Sequence, residues 1–453
     1  MERRRFLVAA ASAAATARFA GLAGITGCGG GTTPQTGPVP VPPEDVVLSL
    51  PKDMYLHLGA PTEWWWHTGT LRAGSRLFGF EINAASFVGQ GFAFTQIMLT
   101  DVEGGRHYQR MTVFTPPLAF DPARWAESDP SQDWYAQLGD PENQLTGIAV
   151  TNPGSGYTSD PSVVISGGGG SGGAAIAVRG SNGSIATIVV VNPGSGYTSP
   201  PTVTIQGGGG SGATARAFQS YAVMHAPKED PTQNMRVQAL LSDDPSFSQV
   251  RFDLTMSQQG RPFFVWGTGI VPGGVCCDLD TNSFYFSLTR LQASGTIEID
   301  GEVFAVEGLT WMDHQYGYFG TSEDPVRWVL QDVQLDNGFT LSNYSRLEDG
   351  RPELNKQSKS TATLQDAAGN IYYVETNFTP FGRTWTSPVS GNEYFLQFRV
   401  EIPDFEATLI VTSLFDDQEF SLPTAPIYEG IALAEGEFQG RHVRGTAWIE
   451  EDF

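Results

Sequence analysis

The chain has 453 residues, 49 Asp+Glu against 26 Lys+Arg, and a formal charge of −23. Its four lysines (Lys52, Lys228, Lys356, Lys359) cannot build the clustered basic surface that a phosphate backbone requires, so no nucleic-acid partner is expected. Gly 53 and Pro 29 with 11% aromatics argue against a helical bundle and for an all-β fold with many turns.

In chain order, the first element is an address rather than a fold. Arg3, Arg4 and Arg5 precede Phe6 and Leu7, the pattern of a twin-arginine export signal. An Ala-rich run from Val8 to Ala23 follows, interrupted by Arg18 and too short to span a bilayer well. Ile25-Thr26-Gly27-Cys28 then resembles a lipobox. The expectation is cleavage after residue 27 and acylation of Cys28, giving an exported, extracytoplasmic lipoprotein held to the membrane by its lipid. Removing residues 1–27 takes away four Arg and one Glu, so the mature chain carries −26. Residues 28–45, rich in Gly, Thr and Pro, read as a flexible tether. Cys276 and Cys277 are the only other cysteines; adjacent cysteines pair only with strain, so both are expected as small buried residues.

Next comes an internal repeat. Asn152-Pro-Gly-Ser-Gly-Tyr-Thr-Ser159 recurs as Asn192-Pro-Gly-Ser-Gly-Tyr-Thr-Ser199, a period of 40 residues. Each copy continues into a β-rich run (Val163–Ile165, Val203–Ile205) and a glycine run (Gly167–Gly170, Gly207–Gly210). No Lys-Ser/Thr and no helix follows, which argues against a phosphate loop. Residues 147–217 are therefore expected as a two-copy β insertion in the first of two domains, with spacing or surface adhesion as possible roles. The host shows period-2 alternation, as in Val250-Arg-Phe-Asp-Leu254, and the hairpin turns Asp300-Gly301, Asn337-Gly338 and Asp349-Gly350. Two barrels or sandwiches fit its length.

Two clusters carry chemistry. In Glu63-Trp-Trp-Trp-His67, a strand turns Glu63, Trp65 and His67 to one face and Trp64 and Trp66 to the other. Three consecutive tryptophans call for cover on both faces. In Trp311-Met-Asp-His-Gln-Tyr316, Asp313 and His314 point opposite ways if extended, so only one of them faces a pocket. No metal is expected: His57, His67, Asp313 and His314 are candidate ligands, but no His-x-x-x-His or paired-Cys spacing supports them. No Gly-x-Ser-x-Gly elbow in a strand–turn–helix context supports a serine hydrolase.

Glu63-Trp-Trp-Trp-His-Thr-Gly69 and Trp311-Met-Asp-His-Gln-Tyr-Gly317 resemble two signatures of the AttH/carotenoid 1,2-hydratase (CrtC) superfamily. Further resemblances follow in family order: Trp328-Val-Leu-Gln331, Leu335–Gly338, Arg346–Gly350, Trp385–Gly391, Asp417-Gln-Glu419 and Tyr428-Glu-Gly430. The resemblance implies two consecutive lipocalin-like antiparallel β-barrels, residues 46–318 and 319–453, with an apolar pocket within or between them. It implies an apolar, isoprenoid-like small molecule as ligand and no cofactor. Asp313 matches the family's proton donor to a C=C bond. His314 or Gln315 would orient the water. Glu63, Trp65, His67, Trp311, Tyr316 and Gln331 would contact the substrate, with Trp311 or Trp65 stabilising the carbocation. Trp311 stands where hydratases have Tyr, and Phe286-Ser-Leu288 where they have His-x-Trp, which favours the AttH-like branch. A non-catalytic carrier, a secreted hydrolase and an adhesion protein are the other readings.

Overall fold

The computed structural model describes residues 37–115, 120–140, 143–320, 327–347, 350–420 and 426–453. The export signal, Cys28, the first part of the tether and Asp349 of the Asp349-Gly350 turn lie outside the described residues. As the alternation and glycine turns predict, the fold is all-β, and every sheet is antiparallel.

Strands β1 (Thr62–Ala73), β2 (Arg76–Phe87), β3 (Phe92–Asp101), β4 (Arg106–Phe114) and β5 (Trp134–Leu138) open the first barrel. The insertion supplies β6 (Gly147–Ser155), β7 (Ser162–Ser166), β8 (Ala174–Arg179), β9 (Ile185–Asn192), β10 (Thr202–Gln206) and β11 (Ser211–Phe218). The first barrel resumes with β12 (Tyr221–Ala226), β13 (Met235–Ser242), β14 (Gln249–Gln258), β15 (Phe263–Phe264), β16 (Ser283–Ile299) and β17 (Glu302–Gly317). Its path runs β4-β3-β2-β1-β17-β16-β14-β13-β12-β5, with β15 on β16. The edges β4 and β5 leave it nearly closed. Buried Arg110 of β4 braces the opening through the Ser242 and Asp243 carbonyls at the end of β13.

The second barrel holds β18 (Trp328–Leu335), β19 (Thr340–Arg346), β20 (Ser358–Gln365), β21 (Ile371–Pro380), the small hairpin β22 (Thr384–Thr386) and β23 (Glu393–Phe395), β24 (Gln397–Ile402), β25 (Ala407–Ser413), β26 (Glu419–Phe420), β27 (Ile427–Phe438) and β28 (Arg441–Asp452). Pairing of β25 with β27 closes the ring, which removes its sheet edges.

Each barrel encloses its own apolar core, and the insertion has a small third one around Ile148, Tyr157, Ile185, Ile188 and Tyr197. The two repeats interlock. Gly173 N–H donates to Tyr197 Oη (3.1 Å), Thr158 N–H to Gly208 O (2.8 Å) and Thr198 N–H to Gly168 O (2.9 Å). A Cβ on Gly170 or Gly210 would lie 2.6 or 2.5 Å from the Cγ of the other copy's tyrosine, so only glycine fits there.

The barrels pack by their outer walls. A Cβ at Gly79 of β2 would sit 2.5 Å from Ile431 Cβ of β27, so this glycine is the hole into which the isoleucine seats. Met98, Phe420, Ile427, Ile431 and Trp448 form an apolar cluster drawn from both barrels. Gln334 of β18 donates to the Thr289 and Thr310 carbonyls of the first barrel (2.6 and 2.9 Å).

Two expectations are corrected. The tether, expected to run free through residue 45, is docked from Val41: its N–H donates to Ile371 O (2.7 Å), and residues 43–45 form a single 3₁₀ turn. Cys276 and Cys277 are exposed rather than buried, with their sulfurs in contact, because they lie on the turn that follows Pro272 and not in a strand.

Candidate functional site

The pairing of β1 with β17 decides which residues meet. Trp66 lies opposite Asp313 and Trp64 opposite Gln315, whereas Trp65 lies opposite His314 and Glu63 opposite Tyr316. Directly opposed residues of an antiparallel pair share a face. Trp64, Trp66, Asp313 and Gln315 therefore point outward, toward the second barrel. Glu63, Trp65, His314 and Tyr316 point into the first.

The outward face lines a cavity of about 750 Å³ between the barrels. Its wall is aromatic: Trp64, Trp66, Trp266, Tyr285, Phe319 and Trp328. Asp313, Gln315, Glu429 and Glu450 supply acids and an amide, and exposed Lys359 and Thr281 stand on its rim. An apolar pocket with a few convergent polar groups has the make-up of a small-molecule site. Trp266 holds a left-handed backbone (φ 58°), its N–H donating to Thr363 Oγ1 across the barrels (2.9 Å). Such a conformation in a bulky residue persists only where its surroundings impose it.

Asp313 is buried. Ser287 Oγ (2.5 Å) and Trp311 Nε1 (2.7 Å) both donate to its Oδ1. Burial raises its pKa to about 6, against the opposing pull of the Ser287, Trp311 and Tyr285 donors. Glu450 is raised to about 8 by burial and by the charge of Asp313, with the Trp328 indole N–H at 3.1 Å as its donor. Burial and neighbouring acids also raise Glu81, Asp332 and Glu429 well above the ordinary carboxylate range. The Trp448 indole donates to Glu429 Oε2 (2.7 Å). Among the described residues none of these five acids has an ion-pair partner. Neutral indoles stand where cations would, so the acids relieve their mutual repulsion by keeping protons.

The inward face is a separate cluster. His57 Nδ1 donates to Glu63 Oε1 (2.8 Å) and His57 Nε2 approaches Asp53 Oδ1 (3.3 Å). Burial opposes charge on His57, but Glu63 and Asp53 outweigh it and push the ring up to about 9. His314 Nδ1 bonds the Trp64 carbonyl (3.1 Å), and its Nε2 lies 3.4 Å from Glu63 Oε1. Tyr316 stacks on His57 and Trp65 on His314.

Of the sequence-predicted residues, Asp313 and Gln315 reach the cavity wall. Trp311 stands behind Asp313 as its donor. His314, Glu63, Trp65 and Tyr316 do not reach the wall, because strand alternation turns them into the first barrel. His67 shares their face and is fully buried, and burial lowers its pKa to about 3. Gln331 is buried in the second barrel, where Asn343 Nδ2 donates to its Oε1 (2.7 Å). Sequence reasoning missed Trp64, Trp66, Tyr285, Trp328, Glu429 and Glu450. Trp64 and Trp66 share the parity of the Asp313 face in this register, and Tyr428-Glu-Gly430 flagged Glu429 only as a motif. Glu450 gave no signal.

The AttH-like family model matches residues 199–450. Among solved structures, an AttH-type protein of Nitrosomonas europaea superposes with a TM-score of 0.54 at 20% identity, covering 91% of this chain and 98% of its own. Kievitone hydratase from Nectria haematococca gives a TM-score of 0.53 at 14% identity, covering 90% of this chain and 93% of its own. At these identities the likeness is one of fold. No curated protein matches the chain.

Proposed function

The chain belongs to the AttH-like family, and on that premise we propose that it takes an apolar, isoprenoid-like molecule into the cavity between its barrels and hydrates a C=C bond there. The carrying observation is the place of Asp313: a buried carboxyl on an aromatic wall, among acids that have no ion-pair partner among the described residues. The fold shared with a protein named as a hydratase supports the same reading.

The step balances simply. Asp313 gives its proton to one alkene carbon, and the other becomes a carbocation facing the indoles of Trp64, Trp66 or Trp328. Water hydrogen-bonded to Gln315 adds to that carbon, and its surplus proton returns to the carboxylate. Ser287 and Trp311 both donate to Oδ1, which places the acidic proton on Oδ2, with the Tyr285 hydroxyl as a third neighbour of the carboxyl. A carrier reading rests on the same two bonds, which also suit a purely structural acceptor. Apolar compounds copurifying with the mature protein, identified by mass spectrometry, supply the substrate. Asp313→Asn protein that still hydrates this compound at the wild-type rate overturns the proton-donor assignment, whereas wild-type protein that binds the compound and returns it unchanged leaves only the carrier.

Export and anchoring belong to the same proposal. The twin-arginine pattern and lipobox of residues 3–28 support them. Incorporation of labelled fatty acid that is lost in Cys28→Ala tests the anchor.

A further inference from the structure

Three residues that spacing did not connect come together at one end of the first barrel. His57 follows a short turn at Lys52–Met54, Glu63 lies on β1 and His314 on β17. Each offers one ligand atom, and these atoms lie within 4.8 Å of one another; Glu63 Oε1 is 2.8 Å from His57 Nδ1 and 3.4 Å from His314 Nε2. We propose that these atoms bind one divalent transition-metal ion of the zinc class.

The first argument is an unmet lone pair. His314 Nδ1 faces a carbonyl, the Trp64 oxygen, which only accepts, so Nδ1 carries the hydrogen. The neutral ring then has a bare lone pair at Nε2. That atom is buried, has no hydrogen-bond partner, and faces a second acceptor, Glu63 Oε1, at 3.4 Å. Two facing acceptors repel in a protein interior; a cation between them turns the contact into two bonds.

The second argument is the outer contacts. A metal-bound histidine characteristically gives its other ring N–H to a carboxylate or a backbone carbonyl. His57 does the first, through Asp53 Oδ1, and His314 the second, through Trp64 O. Asp53 is itself fixed, since its Oδ2 accepts the Ser49 N–H (2.5 Å). Glu63 is fixed by the His57 backbone N–H, which donates to Oε2 (2.9 Å) and, at longer range, to Oε1 (3.2 Å), the oxygen that would face the ion.

The third argument is size and donor type. Tetrahedral zinc with bonds of about 2.1 Å sets its ligands roughly 3.4 Å apart. The Glu63–His314 gap matches. The His57–Glu63 gap, 2.8 Å as a hydrogen bond, widens by several tenths of an ångström when the ion replaces the proton. Two imidazoles and one carboxylate suit zinc and its neighbours rather than calcium or magnesium. Three protein ligands leave a fourth position for water. The ion would tie the segment before β1 to both central strands of the barrel.

The test uses the mature protein, purified without chelator and with any affinity tag removed. Metal analysis is expected to give one ion per chain. Chelated protein should take up cobalt with a tetrahedral absorption band, and zinc should raise its melting temperature. His314→Ala and Glu63→Gln should abolish stoichiometric uptake. Asp53→Asn, which keeps all three ligands and alters only the support of His57, should weaken it about 10–100-fold. His225→Gln, at an exposed histidine, should change nothing. If His314→Ala does not fold, His57→Gln at the partly exposed ligand replaces it. Folded wild-type protein that takes up no zinc or cobalt, or uptake that survives in folded His57→Gln and Asp53→Asn alike, overturns the proposal.

Discussion

The two faces of β17 run on opposite electrostatic principles. Outward, Asp313 stands among Glu81, Asp332, Glu429 and Glu450, supported by indole and hydroxyl donors and, among the described residues, by no ion pair. Inward, one residue further on, His314 joins His57, Glu63 and Asp53, where nitrogen and carboxylate alternate and charge is matched locally. The first arrangement keeps protons and borders a cavity; the second pairs nitrogen with carboxylate inside the barrel. Neighbours in sequence are thus separated by the thickness of a sheet, and a dyad read from adjacency alone would join groups that cannot act on one atom.

The largest test of that division is Asp313→Asn. If the outward face is the catalytic one, hydration falls by about 10²–10⁴-fold, the range of a lost general acid, while ligand affinity measured by tryptophan quenching stays within a factor of about three. Gly79→Val tests whether the cavity depends on how the walls seat. The added side chain meets Ile431, and overpacking of this kind costs about 1–3 kcal/mol in denaturant unfolding, with weaker ligand binding beside it.

A pH series comes next. Glu450 has a folded pKa of about 8 against an ordinary 4.5, so its stabilising contribution is complete below pH 4.5 and is lost as pH rises through about 8. The melting temperature should fall over that window, and Glu450→Gln should flatten the fall. The smallest effect belongs to the inward face. Neither ring nitrogen of His67 has a partner among the described residues, so His67→Phe should leave turnover unchanged and stabilise the chain by about 1 kcal/mol in thermal unfolding. A large loss of turnover in that variant would end the division of labour between the faces.

Much of the fold was legible because alternation, glycine turns and the repeat each have a local physical cause. The parity of Glu63, Trp65 and His67 against Trp64 and Trp66 could be read, as could the opposition of Asp313 and His314. Which parity faces the cavity could not. Alternation reports its inside through hydropathy contrast, and β17 has none where it matters, since Thr310–Gly317 are buried on both faces. The expectation left the pocket within or between the barrels; the cavity forms where two outer walls meet, and that turns Glu63 and Trp65 away from it. Glu429 and Glu450 were hidden for the same reason. They come from the last hairpin of the other barrel, and only tertiary docking brings them to Asp313.

The interlocked repeats have a consequence for inheritance. Tyr157 sits against the glycine turn of the second copy and Tyr197 against that of the first, so a gene that drops one copy strips the survivor of its lid and half its core. The two ends of the insertion meet, with Thr146 N–H on Phe218 O at 3.1 Å, so the pair can enter or leave a hairpin loop without moving the strands on either side. The insertion is a cassette whose heritable unit is two repeats, never one.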